Sequence, residues 1–295
     1  MSHKPFTTVA LIGKTDAPRI AETLVSLYTY LADRGIKVIV EAGSAGFLPA
    51  FSPEYRPLSE LSGDCELAIV VGGDGTLLTA ARALSAHRIP LIGINLGRLG
   101  FLVDISPDEA RHCLDDILDG RYEAEERFIL KARLLKEGGL IQEQKAVNEV
   151  VIHSWNATSM IEIETRINGV FLNSQRSDGL IISTPTGSTA YALSAGGPIL
   201  APSLQAIVLA PINPHTLTNR PIVINGDSLI EVMFRPCKQF RAQMVCDNVS
   251  IPDVEVNDRI EIRRDPLPFH ILHPCHYDFF EILRAKLNWS SGYRS

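Results

Sequence analysis

A chain of 295 residues, 45% apolar and 21% charged, is long enough for two domains with separate cores and has the composition of an ordinary globular protein. Its net charge of −6 provides no broad positive surface, so no nucleic-acid partner is expected and any phosphate-bearing ligand must be met by a local site. No apolar run approaches the roughly 20 residues that cross a bilayer. The start Met1-Ser2-His3-Lys4-Pro5 has no signal-peptide core, and Cys65, Cys113, Cys237, Cys246 and Cys275 are scattered as in reduced chains; a cytoplasmic protein without membrane contact or structural disulfides is expected.

In chain order, the first part alternates strands with helices. Apolar runs predict strands over 9–13, 37–40, 67–71 and 90–94, and helical spacing predicts helices ending at Asp33 and spanning 76–84 and 108–118. This is the pattern of an α/β domain with a parallel, Rossmann-like sheet. Beyond about residue 125 the pattern changes to period-2 alternation, as over 160–167 and 254–262, broken by the turn sequences Asn168-Gly169 and Asn225-Gly226-Asp227. An all-β, antiparallel, sandwich-like domain is expected there. Near the end, Phe280, Leu283 and Leu287 recur at helical spacing within 277–289 and predict a helix with one face on a core.

The turn Val71-Gly72-Gly73-Asp74-Gly75-Thr76-Leu77-Leu78 sets one carboxylate among three glycines between a buried strand and a helix. Gly72, Gly73 and Gly75 allow tight backbone, and N–H groups at the helix start, through Thr76, can approach phosphate. Asp74 is the odd residue. Phosphate oxygens repel a carboxylate unless it holds a metal ion or accepts a proton from an attacking hydroxyl, so the turn points to phosphoryl transfer. The bland alternative is an ordinary βα turn with Asp74 as helix cap. There is no Gly-x-x-x-x-Gly-Lys-Ser/Thr sequence, so a P-loop is not the device used.

A second segment, Arg176-Ser177-Asp178-Gly179-Leu180-Ile181-Ile182-Ser183-Thr184-Pro185-Thr186-Gly187-Ser188-Thr189-Ala190-Tyr191, packs small hydroxyl residues after a short apolar strand. It can offer hydroxyls and N–H groups to a polar ligand, with Tyr191 as an aromatic platform; its bland reading is a strand–loop–helix connection capped by Ser188. Taken with the first turn, Asn148-Glu149 and Asn95-Leu96-Gly97-Arg98-Leu99-Gly100-Phe101-Leu102, in order from about Thr8 to Trp289, the chain resembles the NAD kinase family. The Gly-Gly-Asp-Gly turn also occurs in lipid kinases and phosphofructokinases, and the sixteen-residue segment is far more specific.

The resemblance implies that the last helix returns to the first domain, giving an α/β domain of 1–124 with 272–295 and a β-rich, NAD-binding domain of 125–271. It implies transfer of the γ-phosphoryl of ATP, carried with Mg²⁺ or another divalent cation, to the 2′-hydroxyl of the adenosine ribose of NAD. Asp74 is then the catalytic base or metal holder, and no fixed protein metal site is expected. NAD binding is implied for Asp74, Gly75, Asn148, Glu149, Arg176, Asp178, Thr189, Ala190, Tyr191 and Ser194, with Asn148 and Glu149 on the adenosine part and Asp178 toward nicotinamide. Arg176 suggests oxidised NAD over NADH. A neighbouring subunit is implied to complete the site, in a homodimer or homotetramer.

Where the family shows Asp-x-Gln this chain has Asp247-Asn248-Val249, so no ligand role passes to Val249. His270, His273, Cys275 and His276 are dense enough for a zinc site but read better as a strand-to-helix corner, and His215 reads as a turn residue. Two other functions compete: a lipid or sugar kinase sharing only the first turn, and a catalytically silent dinucleotide-binding regulator.

Overall fold

The computed structural model describes residues 6–13, 18–48, 51, 53–61, 63–155, 159–236 and 240–289, and Cys237 lies outside them. The chain divides into two compact units, Met1–Glu126 with Phe269–Ser295, and Arg127–Pro268. The cut at 268/269 precedes the Phe269–His273 strand, which joins the first unit's sheet beside Leu91–Ile94.

In the first unit the sheet runs Glu54–Arg56, Lys37–Glu41, Thr8–Gly13, Leu67–Val71, Leu91–Ile94, Phe269–His273, Glu123–Arg127. Every pairing from Glu54–Arg56 through Phe269–His273 is parallel. Leu67–Val71 is buried at every residue, which is why it is apolar without alternation. Helix Pro18–Asp33 turns Ile20, Leu24, Leu27 and Leu31 onto Val9, Leu11, Leu67 and Ile69, and helix Ala110–Leu118 adds Leu114 and Ile117 to the same core. From Thr8–Gly13 the chain moves outward to Lys37–Glu41 and Glu54–Arg56, then returns to Leu67–Val71 on the other side. Ligands of such sheets bind beyond the carboxyl ends of the strands where the order reverses, and there Leu67–Val71 delivers the glycine turn.

The second unit is a sandwich of two antiparallel sheets. One runs Val170–Ser177, Ile161–Ile167, Ile230–Phe234, Arg259–Arg264, Leu130–Lys136, Gly139–Ala146; the other runs Ile222–Asn225, Ala206–Ile212, Gly179–Ser183, Glu149–Ser154, Ala242–Cys246, Val249–Val254. Leu130, Ala132, Ile163, Val232 and Ile260 from the first meet Val150, Ile152, Leu180, Leu209 and Met244 from the second in one core. The second sheet is covered on its outer face as well, where Val151, Ile181, Val208 and Ala210 pack with Ala192 and Leu200. Asn168 and Gly169, both at positive φ, close the hairpin between Ile161–Ile167 and Val170–Ser177.

Two elements depart from the sequence pattern. The alternating run 254–262 is not one strand: Asp258 is buried, its carboxylate accepts the Glu255 N–H at 2.8 Å, and the turn it closes separates Val249–Val254 from Arg259–Arg264. The alternation survives because both strands face the same core. The last helix is Phe279–Leu287, capped by Asp278 through the Phe280 N–H; it buries Ile282 and Leu283 while Phe280 is 57% exposed, so the apolar face lies one residue round from the predicted stripe. Among the described residues no helix is long and apolar enough to cross a membrane, and Cys65, Cys113 and Cys275 are free.

Candidate functional site

At the end of Leu67–Val71, Gly73 is the N-cap and Asp74 the first residue of helix Asp74–Leu84. Asp74 does not cap that helix through its side chain. One carboxylate oxygen, Oδ2, accepts the Phe101 N–H at 3.0 Å, and Oδ1 accepts those of Leu102 at 3.0 Å and Val103 at 3.3 Å. Three backbone donors on one half-buried carboxylate fix its orientation. The glycine-rich stretch Asn95–Leu102 is thereby explained. Asn95 Oδ1 takes the Gly97 N–H at 2.8 Å to start the bend, and at Gly100 a Cβ would collide with Asp74 Oδ1, so only glycine lets this loop approach the carboxylate. Lys286 holds the loop's outer side, donating to the Leu99 carbonyl at 2.9 Å and lying 5.1 Å from the centre of the Phe101 ring. Gly73 and Gly75 are exposed with open space above them, and the adjoining helix N-terminus presents its first N–H groups, a setting suited to phosphate.

In the second unit a cavity of about 410 Å³ opens on the outer face of the second sheet, lined by Glu149, Val151, His153, Ser154, Asp178, Tyr191, Ile212, Asn213, Val245 and Asp247. That volume is in the range of small-molecule clefts, roughly 300–1,000 Å³. Glu149 begins its strand and is buried, with Oε2 lacking a hydrogen-bond partner. Its pKa is pushed up to about 8, by burial first and then by the charge of Asp247, against the pull of a hydrogen bond from the Tyr191 backbone. Asp178 accepts from Asn213 Nδ2 at 2.9 Å, and Tyr191 is 45% exposed, with its ring available as a platform.

The hydroxyls of the serine- and threonine-rich segment do not serve a ligand in the way their number suggests. Thr184 donates to the Val147 carbonyl at 2.7 Å, Ser188 donates to the Pro185 carbonyl at 2.6 Å while accepting from the Leu200 N–H, and Thr186 accepts from Arg127 at 3.1 Å. Gly187 sits where a Cβ would strike the Asn148 carbonyl. These residues lock a buried loop onto the start of the Glu149 strand, because buried backbone groups outside a ladder must find side-chain partners. The segment forms a 3₁₀ turn, Thr186–Thr189, and one helical turn, Tyr191–Ser194, rather than a helix capped by Ser188.

Of the residues expected to bind NAD, Glu149, Asp178 and Tyr191 come together in the cavity. Asn148 is half-buried beside it in sequence, and Thr189, Ala190 and Ser194 flank Tyr191 without being among the lining side chains. Arg176 is exposed on Val170–Ser177, and its carbonyl accepts the N–H of His215, itself an exposed turn residue. Gly72, Gly73, Asp74, Gly75 and Thr76 form a group of their own in the first unit. Sequence reasoning missed His153, Ser154, Asn213 and the carboxylate of Asp247 as lining groups; only the pairing of Glu149–Ser154 with Ala242–Cys246 brings Asp247 to Glu149. His273 is wholly buried, Nδ1 2.8 Å from Asp104 and Nε2 3.2 Å from Glu125, and stacks on Tyr277 at 3.7 Å. Burial pulls its pKa down, but the two carboxylates outweigh that and the net shift is upward, which favours the imidazolium form at this strand-to-helix corner.

Known proteins resemble this chain over nearly its whole length. The signature of the ATP-NAD kinase N-terminal domain matches residues 9–122 and that of the ATP-NAD kinase C-terminal domain residues 147–273. The NAD kinase of Methylococcus capsulatus is 65% identical over 97% of this chain and 98% of its own, and that of Nitrosococcus oceani 46% identical over the same shares. The crystal structure of yeast NADH kinase complexed with NADH is similar with a TM-score of 0.90 at 25% identity, covering 99% of this chain and 90% of that one. An NAD kinase from Archaeoglobus fulgidus in complex with ATP gives 0.74 at 27% identity, covering 95% and 98%. With both domain signatures in order and near-full-length relatives at such identity, the chain belongs to the NAD kinase family.

Proposed function

We propose that this chain transfers the γ-phosphoryl group of ATP to the 2′-hydroxyl of the adenosine ribose of NAD, making NADP in the cytoplasm. The observation that carries the reading is the Asp74 carboxylate, held by three N–H groups at the open glycine turn on the sheet's switch point. A hydroxyl is a poor nucleophile at neutral pH, and a fixed carboxylate that accepts its proton makes attack feasible. The ribose oxygen bonds to the γ-phosphorus, the bond from that phosphorus to the β,γ-bridging oxygen breaks, ADP leaves, and the hydroxyl proton passes to Asp74. The exposed backbone of Gly73 and Gly75 receives phosphate oxygens, whereas the Gly72 and Thr76 N–H groups, also expected there, are taken by the Ile94 and Gly73 carbonyls.

Glu149 and Asn148 hold the adenosine part, Glu149 through ribose hydroxyls and Asn148 at a donor–acceptor edge of adenine. Tyr191 offers its ring face, Thr189, Ala190 and Ser194 border it, and Asp178 lies toward nicotinamide. Among the described residues no three His, Cys, Asp or Glu side chains are grouped to hold a metal ion. Mg²⁺ usually keeps several waters and binds through one or two carboxylates plus substrate phosphates, so the single carboxylate of Asp74 fits an ion brought by ATP. That ion would neutralise charge on the phosphates. The active form is a homodimer or homotetramer.

A coupled assay for NADP from NAD and ATP-Mg²⁺ tests the reading. Asp74→Asn should keep the fold, seen by circular dichroism, and lower turnover by roughly two to four orders of magnitude. NAD binding without turnover in the unaltered chain would favour a silent regulator, and activity of the variant within a few fold of the parent would remove Asp74 from the chemistry.

A further inference from the structure

Asp247 lies in the tight turn between Ala242–Cys246 and Val249–Val254, at a φ of 52° that aspartate tolerates. Its Oδ2 accepts the Val147 N–H at 3.0 Å, and its Oδ1 accepts those of Asn148 at 2.8 Å and Glu149 at 3.3 Å. In return its own N–H donates to the Glu149 carbonyl at 3.0 Å. Successive N–H groups of a strand point to opposite sides, so three in a row reach one carboxylate only if the backbone leaves the ladder and bends around it. The matching carbonyls are taken on the other side, Val147 by the Thr184 hydroxyl and Asn148 by the Thr184 N–H. The entry to the Glu149 strand is clamped between the two.

We infer that Asp247 is a positioning residue for NAD: it shapes the Asn148–Glu149 backbone and, as a like charge in the same cavity, sets the pH at which Glu149 becomes the anion that accepts ribose hydroxyls. This rests on the reading of the cavity as the NAD site. The other titratable groups lining that cavity are Asp178, His153 and Tyr191, and no Lys or Arg is among its described lining residues. Burial first and then the charge of Asp247 raise the Glu149 pKa to about 8, with Oε2 buried and without a partner. The ionised form accepts two hydroxyls at once, so NAD capture expels the proton, and KM for NAD falls as pH rises toward that value.

The test measures KM for NAD and for ATP from pH 6 to 9.5 in the parent, Asp247→Asn and Glu149→Gln. Asp247→Asn should raise KM for NAD about ten- to a hundredfold through lost backbone alignment, move the inflection in its pH profile down by about one unit through lost charge, and leave KM for ATP and kcat at saturating NAD within a few fold. Glu149→Gln should abolish the inflection. If Glu149→Gln changes neither KM for NAD nor its pH profile, the cavity is not the NAD site and both readings fall. If Glu149→Gln behaves as expected while Asp247→Asn keeps the parent's KM and inflection, the NAD site stands and the role of Asp247 is overturned. Should Asp247→Asn not fold, carboxyl ¹³C titration of the unaltered chain decides: the Asp247 signal must respond as Glu149 titrates, and a silent signal refutes the coupling.

Discussion

Replacing Glu149 by glutamine should stabilise the ligand-free protein above neutral pH, although the residue is assigned to binding. The parent carboxyl has a folded pKa of about 8 against an ordinary value of 4.5. A folded pKa raised above the unfolded one means the folded state binds the proton more tightly. Its contribution is therefore fully present below about pH 4.5 and lost as pH climbs through 8. At about 1.36 kcal/mol per unit, the 3.5-unit difference (8 − 4.5) amounts to at most about 5 kcal/mol lost by pH 9. Glutamine matches the shape and cannot ionise, so it loses nothing over that range. For a domain of this size each kcal/mol moves the melting temperature by roughly 2–4 °C, so the variant should melt on the order of 10 °C above the parent at pH 9. The difference should close toward pH 5. Melting curves by circular dichroism without NAD, at pH 5, 7 and 9, measure this. Equal or lower stability of the variant at pH 9, or a gap that does not vary with pH, would refute the argument that a buried, charge-crowded carboxyl is held neutral.

Gly100→Ala should keep secondary structure and lower turnover about ten- to a hundredfold, because its Cβ occupies the position of Asp74 Oδ1 and displaces the carboxylate; unchanged turnover would show that its placement does not matter. His273→Ala leaves Asp104 and Glu125 without their shared cation and should cost roughly 3–5 kcal/mol in denaturant unfolding at pH 6. Because the folded pKa of His273 is raised, the parent's advantage is fully present below about pH 6.5 and declines above the raised value, so a pH-independent difference would count against an imidazolium. Diluting the enzyme while following sedimentation and activity together should show activity falling as the assembly dissociates, and a fully active monomer would show that one chain suffices.

The sequence by itself determined the two kinds of architecture and the principal elements of the first unit. An unbroken apolar run such as Leu67–Val71 is written into the chain by burial on both faces, and Ile20, Leu24, Leu27 and Leu31 by burial on one. Asn168-Gly169 is a turn because few other pairs hold positive φ at low cost. Such signals are local, since they record which face of an element leaves water. Alternation does not record where an element stops, which is why 254–262 hid the turn closed by Asp258. Tertiary structure alone decided the partners of the polar groups. The donors to Asp74 lie 27 to 29 residues away at Phe101, Leu102 and Val103, and Asp247 reaches Asn148 across 99 residues. The hydroxyls at Thr184, Thr186 and Ser188 turn inward to backbone and Arg127. A carboxylate or hydroxyl takes whatever donor or acceptor the folded chain brings within about 3 Å. Which one that is depends on strand order and sheet packing, and neither of these leaves a periodic trace in the sequence.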